Sequence, residues 1–145
     1  MRNYWRDSYF RAAFAAAPVF WLIYYLFVAR REDVFAVSSN NFSEYLLVVL
    51  LYPVLEELAF RGFIQGQLLA HCFFKRECYG VTFANVVTSA IFVGFHFLSQ
   101  PIIWALVVFF PSLVFGFFRD RFQCVQAGIL LHIFYNAGWF ALYGF

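Results

Sequence analysis

The stretch Pro53-Val54-Leu55-Glu56-Glu57-Leu58-Ala59-Phe60-Arg61-Gly62 sets two adjacent carboxylates and a guanidinium inside a long apolar run. Leu46 to Leu55 are almost pure hydrocarbon, and Phe63 to Ala70 are apolar apart from two glutamines. An ionised carboxylate at the centre of a bilayer-spanning helix costs roughly 2.5–3.5 kcal/mol even on lenient scales. A sequence that carries two of them needs a reason, and a functional site is the default expectation.

Composition decides the solvent. Of the 145 residues 64% are hydrophobic and 12% charged, with a mean hydropathy of +0.74; a soluble chain is nearer 45–50% apolar and about 25% charged. The expected class is all-α, a polytopic transmembrane helix bundle. One span needs about 20 residues, so about five fit in a single integral membrane domain, residues 1–145, with the lipid bilayer as partner. A net charge of +2 gives no reason to expect a nucleic-acid surface. Cys72, Cys78 and Cys124 form no C-x-x-C pattern and read as thiols rather than disulfides.

The spans follow from the charge breaks. Arg2, Arg6 and Arg11 among Tyr4, Trp5 and Tyr9 make a basic, aromatic collar. Span 1 is about 12–29, with Pro18 as a kink site; its apolar core exceeds that of a signal peptide and no small-residue cleavage site follows, so it is expected to be retained. Asn41, with Glu44 three residues on, reads as a helix N-cap. Span 2 is about 42–72, too long for a straight crossing, and Pro53 is its expected bend. Gly62 and Gly66 form a small-xxx-small pair suited to close helix approach. Lys75-Arg76-Glu77 reads as a loop, span 3 as about 80–98, Ser99-Gln100-Pro101 as a turn and span 4 as about 102–118. Arg119-Asp120-Arg121 reads as a second loop and span 5 as about 125–143. With the N-terminus inside, Arg2, Arg6, Arg11, Lys75, Arg76, Arg119 and Arg121 lie inside and only Arg30 and Arg31 outside. The positive-inside rule therefore favours N-inside, C-outside.

Residues four apart share a helix face. Glu57, Arg61 and Gln65 form one stripe, and Glu57 can pair with Arg61. Glu56 points about 100° away, off that stripe, which suits a general base working near neutrality. On span 3, Thr82, Asn85, Ser89, Phe92 and His96 fall on one face. On span 5, Gly128, His132 and Asn136 do the same. A Glu and a His can activate a water, and a His and an Asn can stabilise the oxyanion of a tetrahedral intermediate. That set suffices to hydrolyse an amide without a Ser or Cys nucleophile. Two Glu and two His could instead hold zinc, but the His residues lack ligand-type spacing and Asn136 is a poor zinc ligand; no cofactor and no metal is the expectation.

Glu56-Glu57-x-x-x-Arg61, then Phe92-x-x-x-His96, then His132-x-x-x-Asn136, in this order on successive apolar segments, resembles the CAAX-protease and bacteriocin-processing (Abi) family of glutamic-type intramembrane proteases. The resemblance covers about Leu46 to Gly138. It implies that Glu56 is the general base that activates water with His96. It implies that Glu57 and Arg61 brace the site, that His132 and Asn136 form the oxyanion hole, and that Phe92 is a packing position. The implied substrate is a membrane-anchored protein or peptide: a prenylated CAAX-like tail, a leader, or a C-terminal sorting anchor. The implied setting is a bacterial cytoplasmic membrane, and the compact size is similar to small sorting or processing members.

Two other classes compete. A non-catalytic bacteriocin-immunity or partner protein could use the same scaffold, though loss of a motif residue would be its cheapest signature and none is lost. A transporter or proton relay would also bury Glu, His and Arg, but the motif-bearing spans show no internal repeat. Glu57 with Arg61 could be a structural ion pair only, and His96 an interfacial histidine. His71 reads as structural, and Gln65, Gln67, Thr82, Asn85 and Ser89 as interhelical ties worth about 0.6 kcal/mol each.

Overall fold

The apolar run near the N-terminus folds as α1, Ser8–Phe27, in a computed structural model that describes residues 3–27 and 42–143. It starts four residues before the hydropathy signal. Asp7 accepts the Phe10 N–H at 3.0 Å, an N-cap that draws the helix back through the collar. Pro18 sits inside α1 and removes the bond that would reach the Phe14 carbonyl. The Asn41 cap and the Arg30–Arg31 end of span 1 lie outside the described residues.

The charged stretch lies in a helical run over 42–68, made of five segments. These are α2 (Phe42–Leu46), a π-helical segment (Leu47–Leu51), α3 (Tyr52–Glu57), a second π-helical segment (Leu58–Ile64) and α4 (Gln65–Leu68). The run ends four residues short of the expected 72. His71 is exposed, and a short 3₁₀ turn covers Cys72–Lys75.

The stretch read as a loop and the start of span 3 is corrected. Strands β1 (Glu77–Cys78) and β2 (Val81–Thr82) pair antiparallel, Glu77 opposite Thr82. Tyr79 and Gly80 join them with φ of 51° and 78°, the left-handed pair that a two-residue hairpin of matching twist requires. Thr82 then accepts the Asn85 N–H at 3.1 Å and opens α5, Phe83–His96, so this helix is shorter than 80–98.

The stretch expected as span 4 lies within one apolar helical stretch, Ile102–Phe122, interrupted by a turn at Val108. It divides into α6 (Ile102–Val107) and α7 (Phe109–Phe122). Pro111 has no N–H to give the Val107 carbonyl, which places the break there and Pro111 in the first turn of α7, where a missing donor matters least. Arg119-Asp120-Arg121, expected as a loop, continues α7, which ends at Gln123 with φ +53°. The last helix, α8, is Gln126–Tyr143, close to the expected bounds.

The chain divides into two compact units, Met1–Val54 with Leu130–Phe145, and Leu55–Ile129. In the first, neutral donors on aromatic rings tie the helices. Tyr135 Oη donates to the Ala13 carbonyl and Tyr143 Oη to that of Trp21, both at 2.7 Å. Phe14 and Phe134 stack at 3.8 Å, and Tyr45 Oη donates to the Ala137 carbonyl at 3.1 Å. In the second unit α5 packs along α7, and polar side chains are buried beside the apolar ones: Glu57, Arg61, Gln65, Asn85, Thr88, Ser89 and Ser112 all have no exposure. The outward faces are apolar, with Leu22, Leu26, Phe63, Leu98, Ile103 and Phe110 each more than half exposed. A polar interior with a greasy exterior is the arrangement lipid demands, because hydrocarbon cannot satisfy polar groups and has no need to hide apolar ones. Among the described residues two helical stretches, Ser8–Leu26 and Ile102–Phe122, are long and apolar enough to cross a bilayer. The helical class is as expected, with the small hairpin as an addition.

Candidate active site

Glu56 and Glu57 end α3, and a π-helical segment begins at the next residue. π-widening is rare and gathers at functional sites, since it re-aims side chains without ending the helix. The two carboxylates part company there. Glu57 is fully buried and Glu56 half-buried.

Glu57 Oε1 stands 3.1 Å from Arg61 Nη1, with both side chains at 0% exposure. The pairing expected from the four-residue spacing therefore forms. The guanidinium is further held from α7: its Nη2 donates to Ser112 Oγ at 2.6 Å and to the Ser112 carbonyl at 2.9 Å. Phe92 and Phe115 take its faces, with ring centroids 4.7 and 5.6 Å from Cζ. A buried ion pair is tolerable only when its other lone pairs and protons are engaged, and Ser112 and the two rings supply much of that engagement.

Gly128 makes room for Glu57. A Cβ at Gly128 would stand 2.7 Å from Glu57 Oε2. Gly116 does the same for the amides: a Cβ there would collide with the Asn85 side chain and stand 2.9 Å from Gln65 Oε1. Gln65 Nε2 donates to the Gly116 carbonyl at 3.1 Å and Asn85 Nδ2 to that of Leu113 at 2.9 Å. Ser89 Oγ donates to Asn85 Oδ1 at 3.2 Å. Of the expected interhelical ties, Gln65, Asn85 and Thr82 (to Asp120 of α7) cross between elements, whereas the Ser89 bond stays within α5 and Gln67 is exposed; both are corrected. At Gly62 and Gly66 a Cβ would make ordinary van der Waals contact with the side chains of Val125 and Arg119, at 3.7 and 3.4 Å, rather than meet another helix's backbone.

His96 closes α5. Its Nδ1 lies 2.9 Å from the Phe92 carbonyl, and its ring is 4.4 Å from that of Phe92. A carbonyl oxygen only accepts, so in this contact Nδ1 carries the proton and the Nε2 lone pair is left to accept one. Phe92, read as mere packing, is buried and touches both His96 and Arg61, which links the second motif to the first.

His132 and Asn136 lie on the part of α8 that belongs to the other unit. His132 is buried, at 6% exposure. Asn136 Nδ2 donates to the Val48 carbonyl at 2.9 Å. The Val48 bond has a clear cause. In the π-segment Leu47–Leu51 the Tyr52 N–H goes to Leu47 rather than Val48. The next residue, Pro53, has no N–H at all. Val48 is left without a helical donor, and Asn136 supplies one while its amide keeps a second hydrogen.

Sequence reasoning missed Ser112, Phe115, Gly116, Arg119 and Asp120. Ser112 and Phe115 lie on an apolar helix with no ionisable neighbour to flag them, and Arg119 and Asp120 looked like loop charges. The small residues at 112 and 116, four apart, were the available signal. Among the described residues no three His, Cys, Asp or Glu side chains gather as metal ligands do. Cys72 and Cys78 are exposed thiols.

No curated protein and no solved structure matches the chain. The family model of the type II CAAX prenyl endopeptidases, Rce1-like, matches residues 38–138, which take in all three motifs and 101 of the 145 residues. The chain therefore belongs to the Rce1-like family of CAAX endopeptidases, membrane-integral proteases.

Proposed function

We propose that the protein is an intramembrane glutamic-type endopeptidase that cuts a peptide bond near the membrane in a membrane-anchored protein or peptide. In this reading Glu56 and the Nε2 of His96 draw a proton from water, and the hydroxide adds to the scissile carbonyl. His132 and Asn136 donate to the oxyanion. Collapse of the tetrahedral intermediate breaks the C–N bond, with the proton passing to the leaving amine. Glu57 and Arg61 hold the helix and tune Glu56. No metal takes part. The substrate is a CAAX-like tail, a leader, or a C-terminal sorting anchor. The protein crosses a bacterial cytoplasmic membrane about five times as one domain, N-terminus inside.

The observation that carries the reading is the contact chain Glu57–Arg61–Phe92–His96, with His96 in the tautomer that accepts at Nε2. A structural ion pair needs no histidine so held. Family membership supports the peptidase class. The division of the carboxylates supports the choice of base, since Glu57 is engaged with Arg61 while Glu56 keeps some exposure.

The test is cleavage of membrane-anchored tail, leader and sorting-anchor peptides in reconstituted bilayers, wild type beside Glu56→Gln, with and without chelator. Cleavage that survives chelation and is lost in Glu56→Gln is the expected result. Loss on chelation moves the case to a metalloenzyme. Cleavage by Glu56→Gln at the wild-type rate removes Glu56 from the mechanism.

A further inference from the structure

The π-segment Leu58–Ile64 also leaves a carbonyl to be satisfied. Its closing bond runs from the Gln65 N–H to the Phe60 carbonyl. In an α-helix that N–H would serve Arg61. The Arg61 carbonyl instead accepts from Arg119 Nε at 3.2 Å, across from the last turn of α7. Arg61 is fully buried, where an unsatisfied carbonyl is costly and the helix would shift its register to regain a donor.

The guanidinium that does this is itself aimed. Arg119 Nη1 donates to Asp120 Oδ1 at 3.1 Å. Asp120 Oδ2 accepts from Thr82 Oγ1 at 2.7 Å, the same hydroxyl that caps α5. On its other side Arg119 Nη2 lies against Gly66, 3.4 Å from where a Cβ would sit. Fork geometry of this kind needs Arg, because a Lys ammonium is a single point charge on a flexible stem.

We propose that Arg119, aimed by Asp120 and Thr82, is a positioning residue that locks the π-register of Leu58–Ile64 and thereby holds Arg61 and Glu57 in place beside Glu56. It is more than a charge that sets topology. The catalytic consequence rests on the function proposed above; the register lock does not.

The experiment compares Arg119→Lys, Arg119→Gln and Asp120→Asn with wild type in lipid nanodiscs. Hydrogen exchange over residues 58–68 reads the register, and kcat and KM on a wild-type substrate read the site. Arg119→Gln is expected to speed exchange there about tenfold, since a lost hydrogen bond lowers the local opening free energy by that order. Its kcat falls with KM unchanged. Arg119→Lys keeps the charge and shows most of both effects, and Asp120→Asn, which leaves Arg119 in place, shows a smaller rise. Wild-type exchange and wild-type kcat in Arg119→Lys would overturn the proposal, leaving Arg119 as a topological charge. Unchanged exchange in Arg119→Gln would overturn it as well, and faster exchange with unchanged kcat would overturn its link to the site. If wild type cleaves nothing, the protease reading falls and exchange alone still decides the register lock.

Discussion

The two compact units meet the same backbone problem with different chemistry. Each contains a π-widened segment with one carbonyl in need of an outside donor. In the first unit the carbonyl is that of Val48, and a neutral amide, Asn136, takes it. In the second it is that of Arg61, and a guanidinium, Arg119, takes it. The causes differ too. Pro53 removes the donor Val48 could have had, whereas at Arg61 the helix widens with no proline in the segment. The neighbourhoods match the donors: tyrosine hydroxyls on carbonyls in the first unit, a buried ion pair with serine and amides in the second. The first unit should therefore yield to mutation in small increments and the second in large ones, because removing one member of a buried charge pair strands the other.

The sharpest way to break that contrast is Glu57→Leu. It leaves the Arg61 guanidinium buried without its carboxylate, and the expected loss is about 3–5 kcal/mol, read from unfolding in detergent. A loss under about 1 kcal/mol would mean that the second unit does not depend on its charges, as an exposed pair would not.

Asn136→Ala comes next and separates two duties. Turnover should fall about 10²–10³-fold if Asn136 donates to the oxyanion. Stability should fall by about 1–3 kcal/mol because the Val48 carbonyl loses its donor. Adding Pro53→Ala restores a backbone N–H within reach of Val48. The double variant should recover stability and not turnover. Recovery of both would reduce Asn136 to a backbone prop, and unchanged peptide cleavage in Asn136→Ala alone would do the same.

Gly116→Ala probes the second unit without touching charge. A methyl there meets the Asn85 side chain and Gln65 Oε1, and overpacking of this kind costs about 1–3 kcal/mol. A thermal midpoint equal to wild type would show that α5 and α7 can separate freely. The smallest effect is expected from Tyr135→Phe, which removes the bond to the Ala13 carbonyl and should cost about 0.5–1.5 kcal/mol. A larger loss than that of Gly116→Ala would invert the ranking of the two units.

Much of the site was legible in the chain. Glu57 and Arg61 stand four apart, so any helix brings them together, and lipid leaves an isolated charge no alternative partner. The face Thr82, Asn85, Ser89, Phe92 and His96 was readable for the same reason, since one helix carries it. Less legible was whatever needed a second helix: Ser112 under Arg61, Gly116 beside Asn85, Gly128 beside Glu57. Serine and glycine on apolar helices look like ordinary packing until the facing atom is known. The helix bounds failed where local chemistry outweighed hydropathy, at the Asp7 cap, the Tyr79-Gly80 turn and the Pro111 break.

Composition and spacing were enough to read a helical chain, apolar outside, with its ionisable groups gathered on a few faces and three motifs in the order of a CAAX endopeptidase. These are properties of composition and of a fixed helical period, which no neighbour can change. Which nitrogen of His96 is engaged, and that Asn136 and Arg119 serve backbone carbonyls, followed from packing in three dimensions alone. The two carbonyl bonds depend on where the helix widens. Widening is set by which distant donor is at hand to meet the orphaned carbonyl, and spacing along one chain does not record that.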